Sequence, residues 1–116
     1  MSFYEALLED LAGFGYLARP QGSFGENEPL PEIFITYMLI TSGETAYSSN
    51  QNSLREYRVQ IALYAKDQSA IESAEDLLKQ LKAKDYYFIT GRQLPFLKDT
   101  QHYGYAADFR KYIKET

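Results

Sequence analysis

The segment from Leu54 to Lys66 constrains the fold more than any other, because its apolar and polar side chains alternate. Alternation with a period of two is typical of a strand that packs on one side and meets water or a partner on the other. The apolar set is Tyr57, Val59, Ile61, Leu63 and Ala65, and the opposite set includes Glu56, Arg58, Gln60 and Tyr64.

A second strand is predicted just before this one, from Ile33 to Thr41. Its β-branched and aromatic residues occupy both parities, which indicates a strand covered on both faces. The residues between the two strands, Ser42 to Ser53, are polar apart from Ala46 and Tyr47. We therefore expect a long hairpin with an extended polar tip.

Two helices are predicted, each starting with a capping box, at Ser2 to Glu5 and at Ser69 to Glu72. Apolar side chains follow each box at helical spacing. Gly13 is placed to end the first helix in the left-handed conformation. The first helix should cover about residues 2–12, and the second should run to about Lys84.

The rest of the chain predicts a long loop and two more strands. Residues 19–32 hold three of the four prolines, and loops longer than about 12 residues are usually functional or disordered. Tyr86 to Thr90 indicates a third strand, which a break at Leu94 and Pro95 separates from the last. The last strand, about Tyr103 to Ile113, again alternates.

This order of elements predicts a single α+β domain over residues 1–116, since a second core would be too small. A right-handed crossover would leave the fourth strand between the second and third. The result is a four-stranded, mainly antiparallel sheet of order 1-2-4-3 with both helices packed on one face. The other face would lie open and carry Tyr and Arg, as a docking surface does.

Composition excludes several classes of protein. The chain has no Cys, so disulfides and thiolate metal sites are not available. A net charge of -4 argues against specific nucleic-acid binding, which depends on Lys and Arg. No apolar run approaches the roughly 18 residues of a membrane span, and no signal peptide is apparent. We expect a cytoplasmic product with no membrane partner.

The sequence offers no constellation that predicts catalysis, so we expect a protein that is not an enzyme. His102 is the only histidine, and no Gly-x-Ser-x-Gly elbow occurs. A lone histidine before a strand indicates a solvated or hydrogen-bonded side chain. Gly22 to Gly25 has the spacing of a nucleic-acid clamp, but Glu26 and Glu28 would repel phosphate. No catalytic, cofactor-binding or metal-ligating residue is predicted, and no cofactor.

Arg58, Asp108 and Arg110 fall on the polar parities of two strands that should be neighbours. They could bind an anion, although cross-strand ion pairs worth about 1 kcal/mol or less are the favoured interpretation.

Three segments together resemble the tail-terminator, or tail-completion, proteins of long-tailed phages and prophages. They are Pro31 to Tyr37, Arg55 to Asp67, and Tyr103 to Arg110, in the layout of helices and strands given above. The resemblance implies a minor tail or head–tail joining protein without catalytic residues. It implies a ring, typically a hexamer, that caps the head-proximal end of the tail tube. The partners would be the tail-tube protein and the head connector, and the place of action the virion tail.

The long loop and the hairpin tip are candidate arms for contacts within such a ring. Phe24 has two equal interpretations, as an anchor in a partner or as a cap on its own core. A small-ligand regulatory domain of ferredoxin-like topology and an unrecognised enzyme using Tyr, Asp and Arg remain alternatives. The residues predicted for the partner interface are Phe24, Leu30, Tyr47, Arg58, Tyr64 and Arg110.

Overall fold

The structure is a computed structural model that describes residues 3–23, 29–44 and 53–115. Within them, three α-helices and one 3-10 helix accompany five strands. In chain order the elements are α1 (Phe3–Ala12), β1 (Leu17–Pro20), β2 (Ile33–Glu44), β3 (Ser53–Ala65), α2 (Gln68–Glu72), α3 (Ala74–Lys79), the 3-10 helix (Gln80–Lys84), β4 (Tyr87–Leu97) and β5 (His102–Glu115).

The five strands form one mixed sheet in the order β1-β2-β3-β5-β4. The predicted four-stranded sheet of order 1-2-4-3 is therefore wrong, although the α+β class stands. The additional strand is β1, which runs parallel to β2 from Leu17 beside Phe34 to Pro20 beside Tyr37. The segment Leu17–Pro20 is only four residues long and ends in proline, so it has no alternating pattern that would predict a strand. The strand forms because its backbone pairs with β2, and the Gln21 amide extends the pairing by donating to the Tyr37 carbonyl at 2.9 Å.

The prediction of two helices is also wrong, because the second predicted helix divides at Ser73 into α2, α3 and the 3-10 helix. The Ser73 hydroxyl donates to the Ala70 carbonyl at 3.3 Å, a bond of the kind that bends helices. The predicted cap at Ser69 is wrong as well. Asp67 is the N-cap, and its carboxylate accepts from the Ser69 amide at 2.9 Å.

Two further local predictions are wrong. The left-handed residue after α1 is Gly15, with φ of 82°, and not Gly13. Leu94 and Pro95 do not end a strand, because β4 continues through them to Leu97. Proline is tolerated there because β4 lies at the edge of the sheet.

The hairpin of β2 and β3 is longer than its apolar residues predict. Pairing continues from Ser42 beside Tyr57 to Glu44 beside Arg55. Part of the predicted polar tip is thus ordinary antiparallel strand. Residues 45–52, with Tyr47, lie outside the described part of the chain.

The hydrophobic core lies between the helices and one face of the sheet. From α1, Phe3, Leu7 and Leu11 enter it, and the Phe3 ring stacks on Tyr57 with 4.2 Å between ring centroids. Each fully buried aliphatic side chain contributes roughly 1.5–3 kcal/mol. The sheet and the other helices supply Ile35, Tyr37, Val59, Ile61, Leu63, Ala74, Leu78, Leu81, Tyr86, Ala107 and Phe109.

A polar cluster of Asp10, Tyr86 and Lys111 connects α1 to β5 and to the turn before β4. The Tyr86 hydroxyl donates to Asp10 Oδ2 at 2.9 Å, and Lys111 Nζ lies 3.6 Å from the same oxygen. Lys111 Nζ also lies 4.2 Å from the centroid of the Tyr86 ring and donates to the Lys84 carbonyl at 3.0 Å. Burial, followed by the contact with Asp10, raises the pKa of Tyr86. The cluster therefore joins α1, β5 and the turn that precedes β4.

A second polar contact joins α3 to β5. The Tyr105 hydroxyl donates to Glu75 Oε1 at 2.9 Å, and Lys79 Nζ lies 3.7 Å from the other oxygen of Glu75. Burial, followed by the bond to Glu75, raises the pKa of Tyr105 to about 12. The Tyr105 side chain crosses directly over Gly91 of β4, where a Cβ would overlap its hydroxyl. Gly91 thus leaves the space that the contact needs.

Replacing Gly91→Ala should lower the free energy of unfolding by about 1–3 kcal/mol, since the new methyl group displaces Tyr105 from Glu75. Urea unfolding measures the change. Gly43→Ala is the matched control, because a Cβ at Gly43 meets nothing within 4 Å. Equal stability of both variants would contradict the predicted overlap.

Raising the pH from 10 towards 12 should destabilise the fold. Tyr105 loses its proton near 10.0 when unfolded but near 12 when folded, so unfolding releases a proton in this window. The stability from the Tyr105 bond is present below pH 10 and is lost as the pH approaches 12. Urea unfolding at both ends of the window should show a smaller loss for Tyr105→Phe. Tyr87→Phe, on an exposed tyrosine, should behave as the unchanged protein.

Candidate functional site: the open face of the sheet

The face of the sheet turned away from the core is called here the open face. In the central strands it consists of the even-numbered residues from Glu56 to Tyr64 on β3 and from Gly104 to Tyr112 on β5. The odd-numbered residues between these limits face the helices and include the core residues Ile61 and Ala107. The middle of this face is nevertheless enclosed, since Ala62 and Ala106 are 2% and 0% exposed, and its exposed part lies around Arg58 and Arg110.

Four charged residues form what we call the charge ladder, two on each central strand. Arg58 on β3 is paired directly with Arg110 on β5. The carboxylates lie on the diagonals: Arg58 Nη2 is 3.4 Å from Asp108 Oδ2, and Arg110 Nε is 3.2 Å from Glu56 Oε1. Like charges directly opposite each other destabilise a sheet. The two diagonal carboxylates offset that repulsion.

Burial distinguishes the members of the ladder. Asp108 is only 7% exposed, and its Oδ1 is enclosed without a hydrogen-bond partner in the described part of the chain. The side chains of Arg58 and Arg110 are 38% and 41% exposed. Among the described residues, the Nε atoms of both arginines are enclosed and have no hydrogen-bond partner, although Arg110 Nε lies 3.2 Å from Glu56 Oε1. The ladder therefore presents two neighbouring guanidinium groups to the outside.

Exposed apolar and aromatic side chains flank the ladder on both sides. On β2 these are Met38 and Ile40. A register shift leaves Ile40 unpaired between Leu39, which lies beside Val59, and Thr41, which lies beside Arg58. On the other side, the rings of Tyr87 and Tyr112 meet edge to face with 6.2 Å between centroids. Arginine, methionine and tyrosine are enriched at protein interfaces. The set therefore has the composition of a protein-docking surface.

The opposite end of the open face is closed by aromatic packing. Phe34 stacks on Tyr64 with 5.0 Å between ring centroids, and the His102 ring meets Phe34 edge-on at 5.1 Å. His102 Nε2 donates to the Pro31 carbonyl at 2.9 Å, and His102 is fully buried. The only histidine is thus hydrogen-bonded, as predicted, and it fixes the approach to β2.

The residues predicted for a partner interface are only partly brought together. Arg58 and Arg110 are adjacent, whereas Tyr64 lies on the same face at its far end. Leu30 is half-buried just before β2. Phe24 and Tyr47 lie outside the described residues.

Sequence reasoning did not select Met38, Ile40, Tyr87 and Tyr112, which complete the surface. The apolar residues on both parities of β2 predicted a strand covered on both faces, so Met38 and Ile40 were placed in the interior. Tyr112 alternates in step with Asp108 and Arg110, so the sequence alone could have placed it on the same face of the sheet.

Among residues 3–23, 29–44 and 53–115, no three carboxylate or imidazole side chains are grouped as metal ligands. No helix in these ranges is long and apolar enough to cross a membrane. What the open face offers chemically is a pair of guanidinium groups, which bind carboxylates and other anions through several donors.

A cavity of about 450 Å³ lies beside the end of β1. Its lining has phenol and amide groups but no charged side chain, and it adjoins the apolar edge of the open face at Met38. The lining residues are Tyr4, Pro20, Gln21, Tyr37, Met38 and Leu39.

Comparison with known proteins identifies no family for this chain. Neither protein-family models nor curated proteins match it. The functional argument therefore depends on the open face and on the sequence pattern.

Replacing Asp108→Asn should lower the free energy of unfolding by about 1–3 kcal/mol, because the partly enclosed Arg58 loses its carboxylate beside Arg110. Urea unfolding measures the loss. Asp99→Asn, at an exposed turn position, is the control and should change stability by less than about 0.5 kcal/mol. If the two variants were equally stable, the ladder would contribute nothing to the fold.

Proposed function

We propose that the chain is a non-catalytic assembly protein of the phage tail-terminator type. Copies of it would form a ring on the head-proximal end of a tail tube, stop the growth of the tube and offer a surface to the head connector. The protein would be made in the host cytoplasm and act in the virion tail. The proposal is supported by the three segments that resemble this family and by the character of the open face.

The observation that carries the proposal is the exposed surface made by the charge ladder and its flanking residues. It spans β2, β3, β5 and β4, and it combines two guanidinium groups with the exposed Met38, Ile40 and Tyr87. A surface of this composition fits a protein partner better than it fits a small molecule, which binds in concave pockets.

The edges of the sheet favour association through faces over the addition of strands. β1 has four residues and ends at Pro20. β4 contains Pro95 and two register shifts, one between Phe88 and Thr90 and one between Leu94 and Leu97. Short strands, prolines and bulges are the features that prevent edge-to-edge pairing.

A ring also needs two different surfaces on each subunit, since its contacts are head to tail. α1 and the open face differ in the groups that they expose. α1 carries three carboxylates, Glu5, Glu9 and Asp10, and no basic residue. The open face instead exposes the guanidinium groups of Arg58 and Arg110. Two surfaces that differ in this way suit a head-to-tail arrangement.

The purified protein should associate into a closed ring as its concentration rises or when tail-tube protein is added. Analytical ultracentrifugation with and without the tube protein measures the mass. Arg110→Gln should weaken the association because it removes an exposed guanidinium of the ladder. Lys82→Gln removes an exposed charge on the helical side and is the control.

A protein that stays monomeric at every concentration, with and without tube protein, would contradict the proposal. Tight stoichiometric binding of a small metabolite by such a monomer would instead support the ligand-binding alternative.

A further inference from the structure

Another cavity, which we call the lysine cavity, lies between the helical layer and the start of β4. Its volume is about 330 Å³, and it is lined by Lys79, Lys82, Tyr86, Tyr87 and Phe88. Small-molecule sites in proteins measure about 300–1,000 Å³ and combine apolar and aromatic walls with a few polar groups. The lysine cavity therefore has the size and the kind of lining that suit one small molecule.

The turn before β4 brings the lysines and the aromatic rings together. Lys79 and Lys82 are three residues apart at the junction of α3 with the 3-10 helix, and residues with this spacing lie on one side of such a helix. Asp85 then takes the left-handed conformation with φ of 67°, and the Tyr86 amide donates to the Leu81 carbonyl at 3.2 Å. The start of β4 thus lies against the side of the helix that carries both lysines.

The lining of the cavity contains two lysines and no carboxylate, although the whole chain has a net charge of -4. Lys79 Nζ lies 4.6 Å from the centroid of the Phe88 ring and 3.7 Å from Glu75 Oε2. An ion pair of this length is too long for a hydrogen bond, so the donors of Lys79 remain available to a second anion. Lys82 is exposed and, within the described ranges, forms no ion pair or hydrogen bond. Both ammonium groups can therefore bind an anion in the cavity.

The aromatic walls of the cavity differ in exposure. Tyr86 is 1% exposed and its hydroxyl is bonded to Asp10, so this ring forms the closed side of the cavity. Tyr87 is 54% exposed, and its ring meets Tyr112 edge to face. That contact covers at most one face of the Tyr87 ring, so a planar ring of a ligand can stack on the other face.

We propose that the lysine cavity binds a mononucleotide, with the phosphate held by Lys79 and Lys82 and the base stacked on Tyr87. A phosphate group has several acceptor oxygens and can take donors from both lysines at once. Nucleobases stack on tyrosine rings whatever the base is. A mononucleotide therefore supplies both chemical groups in one small molecule. The inference does not depend on the proposed function, because neither lysine belongs to the open face.

Isothermal titration calorimetry with adenosine monophosphate (AMP) tests the inference, at low salt because salt screens exposed charges. Adenosine lacks the charge and inorganic phosphate lacks the ring, so each should bind at least about tenfold more weakly than AMP. Adenosine or phosphate that binds as tightly as AMP would overturn the inference, as would the absence of AMP binding. A single-stranded oligonucleotide that binds more tightly than AMP would show a nucleic-acid surface and would also overturn it.

A lysine variant tests the phosphate contact. Lys82→Gln should weaken the binding of AMP by at least about tenfold, because it removes one of the two charges in the cavity lining. Lys84→Gln makes the same change at an exposed lysine of the same 3-10 helix, outside the lining, and should leave the binding of AMP unchanged. Equal losses in the two variants would show a response to overall charge and overturn the inference.

A tyrosine variant tests the stacking of the base. Tyr87→Leu should weaken the binding of AMP and leave the weak binding of phosphate unchanged, because only the ring contact is lost. Phe96→Leu is the matched control, since Phe96 lies on the same strand, is 43% exposed and is outside the lining. Far-ultraviolet circular dichroism checks that both variants stay folded. A folded Tyr87→Leu variant that binds AMP as tightly as the unchanged protein would overturn the inference.

The outcomes separate this inference from the proposed function. Lys82→Gln should lose AMP and still associate, because Lys82 lies outside the open face. Rings that form from a protein that does not bind AMP would overturn the inference and leave the proposed function standing. AMP binding by a protein that never associates, with or without tube protein, would do the reverse.

Discussion

The pairing of β3 with β5 fixes both sides of the molecule at once. It is continuous from Ser53 beside Glu115 to Ala65 beside Tyr103. In this register the odd-numbered residues of the central strands enter the core and the even-numbered ones form the open face. Because side chains alternate along a strand, a slip by one residue would exchange the two sets. The core and the charge ladder therefore depend on the same pairing.

The helices pack on the core side of this sheet, and α1 is attached to it near both of its ends. α1 is held at its start by the stack of Phe3 on Tyr57 and near its end by the bonds of Asp10 to Tyr86 and Lys111. With both ends fastened, its exposed side keeps a constant position relative to the open face. The proposed ring would need two such surfaces at a constant position, since the rotation between neighbouring subunits must repeat.

Alternation of side chains in the sequence predicted which residues of the central strands share a face, and so placed Arg58 and Arg110 together. It could not predict the strand Leu17–Pro20, which depends on an already formed neighbour. The break in the second helix at Ser73 was not predicted, because the helical spacing of apolar residues continues across it. The exposure of Met38 was not predicted, because apolar residues on both parities of a strand indicate that both of its faces are buried. Each failure arises where contacts distant in sequence decide the local structure.

The charge ladder shows how one face of a sheet can hold two arginines directly opposite each other. Arg58 and Arg110 would repel each other, but each forms an ion pair with a carboxylate at a diagonal position of the neighbouring strand. Asp108 pairs with Arg58, and Glu56 pairs with Arg110. These carboxylates leave most donors of the two guanidinium groups free for a partner. Charges at an interface favour the correct orientation more than they raise affinity, because their desolvation offsets much of the attraction. In the proposed ring, a single contact would then be weak, and closure would strengthen the assembly because every subunit would make two contacts.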